Sequence, residues 1–138
     1  MIEYMMHHAQ GLLIYQNDGD LNYSMSALRF IKQRCEQAFF TYEGYIRACK
    51  RHLNRSYRIP VVIDDETMLI PLGNVKVYET IWINYPAIKE MKSHVCGIHL
   101  LFISGRELII DINQMRLQKQ IDDLFEIRNT KVKHFHGR

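Results

Sequence analysis

At 138 residues, 47% hydrophobic and 24% charged, the chain has the size and composition of one domain, residues 1–138, able to bury a core without disulfides or metals. That composition argues against wholesale disorder, and no apolar run approaches the roughly 20 residues that span a bilayer. The net charge is only +3, but it is unevenly spread: −1 over residues 1–40, +4 over 41–58, −4 over 59–127 and +4 over 128–138.

In chain order, the opening MIEYMMHHAQ lacks the basic and apolar regions of a secretory signal. Residues 11–17 read as a strand, and Asn17-Asp18-Gly19-Asp20 as a turn. Ser24 is placed to cap a helix over 25–39, with Leu28, Ile31, Cys35, Ala38 and Phe39 at helical spacing. Tyr42, Tyr45, Ile46, Cys49 and Leu53 predict a second helix ending near Asn54, with Arg47, Lys50 and Arg51 on its other face. Residues 58–64 form a strand with Pro60 near its start, and Asp64-Asp65-Glu66-Thr67 a turn. Residues 68–72 return as a strand whose Pro71 marks an edge or an end. A further strand over 80–85 is closed by Pro86, and Trp82 is its core anchor. Residues 96–103 and 107–112 form a hairpin through Ser104-Gly105-Arg106. Asn113 then caps a helix over 114–129, with Leu117, Ile121, Leu124 and Phe125 inward, ahead of a frayed basic tail over 130–138. The expectation is an α+β fold: a mostly antiparallel sheet with an N-terminal helix pair and a C-terminal helix.

The sequence carries no recognisable catalytic or metal signature. The chain has no P-loop, GxGxxG, GxSxG or HExxH. Asp64, Asp65 and Glu66 splay from a turn rather than converge in a cleft. His94, Cys96 and His99 are metal-ligand types, but on a strand His94 and Cys96 share one face and His99 takes the other, with no fourth ligand in view. Cys35 and Cys49 lie on apolar helical stripes, where a thiol packs rather than reacts. Three unpaired, widely spaced cysteines suit a reducing, cytoplasmic setting. No enzyme, cofactor or metal is expected.

The positive signal is the stretch 41–58. It sets Arg47, Lys50, Arg51, Arg55 and Arg58 against a single acid, Glu43, and interleaves them with Tyr42, Tyr45 and Tyr57. Cations clustered in this way focus potential toward an anionic partner; a solvated helix face with a solubilising tail is the plainer alternative. Tyr42-x-Gly44, followed by a basic stretch, then Pro60-Val61-Val62-Ile63-Asp64, Ile70-Pro71 and Trp82-Ile83, resembles the ComK family of competence transcription factors in order and spacing. The resemblance covers about 35–129. Its scaffold positions are Tyr42, Gly44, Pro60, Asp64, Pro71 and Trp82, and Tyr45 stands where the family tends to place an arginine. The hairpin and helix over 96–128 are more weakly similar to LytTR-type DNA-binding domains.

The resemblance implies an oligomeric transcription activator that binds double-stranded, AT-rich promoter DNA, largely through the minor groove, with a protease adaptor open as a further partner. Arg47, Lys50, Arg51, Arg55 and Arg58 are the candidate contacts, and Arg106, Lys131 and Lys133 lesser ones. The rival expectation is a protein-interaction or adaptor module that has kept the fold and lost DNA binding.

Overall fold

The structure is a computed structural model that describes residues 1–55 and 57–136. Its first half runs β1 (Ile2–His8), β2 (Gly11–Gln16), β3 (Leu21–Tyr23), α1 (Ala27–Gln37) and α2 (Tyr42–Leu53). Then come β4 (Val61–Asp64), β5 (Thr67–Pro71), β6 (Trp82–Asn84), a 3-10 turn over Tyr85–Ala87, β7 (Ile88–His94), β8 (Gly97–Phe102), β9 (Glu107–Ile110) and α3 (Gln114–His136). Strands β3-β2-β1-β6-β5-β4 form one sheet and β7-β8-β9 another, and every pairing is antiparallel. The expected α+β class holds, with its helix pair and C-terminal helix.

Neighbouring residues of a strand point to opposite faces, and here both faces of the large sheet are covered. Tyr4, Val62, Met68, Ile70 and Ile83 pack with residues of the small sheet and α3. Met5, Val61, Ile63, Leu69 and Trp82 pack with α1 and the start of α2. The large sheet is therefore a middle layer, which is why its strands read as unbroken apolar runs rather than alternating ones. Trp82, 1% exposed, is at the centre of the helix-side core. Asn84 is equally buried, and its side chain is fully used. Its amide donates to the carbonyls of Ile2 (2.6 Å) and Glu66 (2.9 Å), and its oxygen accepts from Met68 N–H (2.8 Å), tying three strands together.

Several expectations are corrected. β1, β3 and β7 were not foreseen. Of the two placements expected for Pro71 the strand end holds, while the edge of the sheet is β4 and not β5. His94, Cys96 and His99 lie across the β7–β8 hairpin, not on one strand. At its turn a Cβ on Gly97 (φ +137°) would meet the Ile110 carbonyl oxygen at 2.0 Å, so only glycine fits. The stretch 130–136 is not frayed but continues α3; residues 137 and 138 of the expected tail lie outside the described residues. In α3, Gln120 is buried and Phe125 is not.

The cap of α1 is Ser26, whose Oγ accepts from Arg29 N–H at 3.1 Å, and Phe30 rather than Phe39 faces the core. Phe39 ends the helix in the left-handed region at φ 68° and is 96% exposed. Phe40 N–H donates to Cys35 O and Phe39 N–H to Glu36 O, the Schellman pattern that glycine favours at this position. Phe39→Gly should therefore raise stability by about 0.5–1 kcal/mol, since relief of the left-handed penalty outweighs the added unfolded-state entropy. A thermal melt checks the sign.

Candidate nucleic-acid interface

α2 carries the basic stretch, and its start explains the glycine of the Tyr-x-Gly element. Thr41 Oγ1 caps the helix by accepting from Gly44 N–H at 3.2 Å. A Cβ on Gly44 would lie only 2.9 Å from that oxygen, so a side chain there crowds the cap. Tyr42 and Cys49 point inward, and Asn54 closes the helix at φ 52°. Arg47, Lys50 and Arg51 are exposed on the outer side. The one acid of the stretch is already engaged: Glu43 meets Lys32 of α1 at 3.0 Å, and that hydrogen bond lowers the carboxyl pKa below its ordinary value. The outer face of α2 is thus left cationic.

The other candidate cations are placed differently. Arg55 reaches Asp123 of α3 at 3.0 Å, and burial raises the Asp123 pKa although Arg55 acts against it. Arg106 meets Glu3 at 2.9 Å and Asp20 at 3.1 Å, with its guanidinium over Tyr15 at 4.9 Å. Lys131 Nζ donates to Val62 O at 2.7 Å and lies over the Phe40 ring at 4.4 Å; burial lowers its pKa. Lys133 is exposed on the last turns of α3. Arg58 is half-buried, at the start of the segment that leads into β4.

Of the scaffold positions, Tyr42, Pro60, Pro71 and Trp82 are buried. Asp64 is exposed, and its Oδ1 accepts from Glu66 N–H at 2.9 Å to shape the β4–β5 turn. Pro71 O accepts from the buried Gln120 amide at 2.7 Å, which fastens α3 to the end of β5. Two cations that the sequence does not single out also face this side of the molecule. Lys76 lines the same cleft as Lys50 and Arg58, and Arg116 lies near Arg58. Each is isolated in sequence among neutral residues, so no charge run marks it.

A larger, mostly apolar groove of about 730 Å³ runs between the α1–α2 turn, α2 and α3, with Phe40, Ala48 and Ile127 among its walls. Its thiol, Cys49, has a pKa raised by burial, which disfavours the thiolate a nucleophile needs. Among the described residues no three His, Cys, Asp or Glu groups are placed to hold a metal ion, and no helix is long and apolar enough to cross a membrane.

A family model described as ComK protein matches residues 3–133. No curated protein and no solved structure matches the chain.

Proposed function

The chain belongs to the ComK family of competence transcription factors, and from that premise we propose that it is a cytoplasmic transcription activator that binds AT-rich promoter duplex as an oligomer through the outer face of α2. The observation that carries this reading is the exposed cationic face of Arg47, Lys50 and Arg51, where the one acid of the stretch, Glu43, is ion-paired with Lys32 and offsets only Arg47 at the near end. Exposed Lys and Arg displace counterions from phosphates, a source of salt-dependent affinity. Arginine also suits the narrow minor groove of A-tracts, where negative potential is highest. Arg55, Arg106 and Lys131 contribute less in this reading, because each is already committed to an internal partner.

Fluorescence anisotropy of an AT-rich duplex over a salt series tests it. Losing two phosphate contacts in Arg47→Ala/Arg51→Ala should flatten the slope of log K against log salt by about 1.8, at about 0.9 per contact. An unchanged slope would remove α2 from the interface. Absence of binding by the parent protein at low salt would favour the adaptor reading instead.

A further inference from the structure

Beside the cationic face of α2, a cleft of about 340 Å³ opens between the helix, residues 57–59 and the loop that follows β5. Lys50, Arg58 and Lys76 line it, together with Tyr57 and Asn74. Among the described residues, none of the three cations is ion-paired with a carboxylate. Arg55 and Arg106, by contrast, have carboxylate partners, Asp123 for the first and Glu3 and Asp20 for the second, while Lys131 and Arg116 meet backbone carbonyls.

The cleft is held in shape. Asn74 Oδ1 accepts from Lys76 N–H at 2.9 Å, and Thr80 Oγ1 donates to Asn74 O at 2.6 Å, so the loop presents Lys76 from a stapled turn. Arg58 adopts φ 55°, a conformation unfavourable for a residue with a side chain. It is retained while Gln120 Nε2 donates to the Arg58 carbonyl at 3.3 Å. The Arg58 guanidinium lies over the Tyr57 ring at 5.4 Å, and that ring is 64% exposed.

Arg116 adds to the crowding. Its Nη2 donates to Leu72 O at 2.7 Å, while its Nε is buried without a hydrogen-bond partner. Burial first, and then the charge of Arg58, lower the Arg116 pKa from the ordinary arginine range. Like charges gathered around a shaped concavity repel one another until an anion enters, and guanidinium and ammonium groups together suit the several oxygens of a phosphate.

We propose that this cleft binds a phosphate group, with Lys76, Arg58 and Lys50 as its ligands. Two sources share that chemistry. One is the DNA backbone, and in that form the inference rests on the reading above and widens the interface from α2 to the loop after β5. The other is a free phosphorylated small molecule, such as a nucleoside monophosphate whose base stacks on Tyr57.

The test uses the full chain and Lys76→Ala, a change on an exposed loop that leaves the core intact. In the anisotropy salt series, loss of one DNA phosphate contact flattens the slope by about 0.9. Separately, adenosine monophosphate is titrated into parent and variant by calorimetry without DNA. A flattened slope assigns the cleft to the DNA backbone. Binding of the nucleotide by the parent and at least tenfold more weakly by the variant, with the DNA slope unchanged, assigns it to a free ligand. No change in either measurement overturns the proposal. If Arg47→Ala/Arg51→Ala flattens the slope while Lys76→Ala moves neither readout, the cleft falls and the DNA reading stands. If the parent binds no DNA, the DNA reading falls and the nucleotide titration alone decides the cleft.

Discussion

Replacing Arg106 with Met is expected to destabilise the fold by about 3 kcal/mol, because it strands a buried carboxylate. Glu3 is 2% exposed, and it lies where β1 carries an irregularity between Ile2 and Tyr4. The shift lets Ile2 join the helix-side core while Tyr4 joins the opposite one. Arg106 meets the Glu3 carboxylate at 2.9 Å, and Ser104 Oγ donates to its other oxygen. Both come from the β8–β9 turn, so this contact joins the first strand of the large sheet to the small sheet. Methionine retains apolar bulk beside Tyr15 and removes only the guanidinium. Adding Glu3→Gln should recover part of the loss, since a neutral amide is less costly to leave in that site than a charge. Urea titration of the two single variants and the double variant measures the coupling. DNA affinity per folded molecule, and its salt slope, should be the same in Arg106→Met as in the parent. A flattened slope would instead return Arg106 to the nucleic-acid interface.

Arg106 also shows what the sequence can and cannot convey. A run of cations is visible as a run, and the outer face of α2 was readable because a surface helix repeats its pattern within a few residues. Whether a cation is free depends on groups far along the chain. Asp20 is 86 residues from Arg106, and Val62, whose carbonyl takes Lys131, is 69 residues away. Nothing local to Arg55 announces Asp123. The strands divide on the same principle. β4 and β5 are β-branched or apolar runs bounded by turn residues and could be read directly. β1 is buried on both faces and shows no alternation. β7 is exposed along nearly all its length, so it lacks the apolar pattern that marks a strand and is defined by its ladder to β8. The cleft beside α2 was unreadable for a similar reason: Lys76 and Arg116 come from separate elements that only the packing of α3 on β5 brings near Arg58.

Tyr45→Phe is expected to cost about 2–3 kcal/mol, a large effect for one oxygen atom, because two backbone groups lose their partner together. β4 is an edge strand, and its outward N–H and C=O groups face no neighbouring strand. The Tyr45 hydroxyl donates to Pro60 O at 2.6 Å and accepts from Val62 N–H at 2.9 Å. Lys131 Nζ takes Val62 O at 2.7 Å. A tyrosine from α2 and a lysine from α3 therefore close the edge that a seventh strand would otherwise pair with. Burial raises the Tyr45 pKa well above its ordinary value, so the phenol remains a donor throughout the neutral range. Position 45 thus faces β4 and the Phe40 ring rather than the Arg47–Arg51 side of the helix. An arginine introduced there would displace the seal rather than join the cationic face. Tyr45→Arg should lower the melting temperature at least as much as Tyr45→Phe and leave the DNA salt slope of the folded protein unchanged. Amide exchange at Val62 should accelerate in both variants, ahead of exchange in β5 and β6. Parental protection at Val62 in Tyr45→Phe would show that the edge is closed by something other than this hydroxyl, and a steeper salt slope in Tyr45→Arg would place position 45 on the DNA side after all.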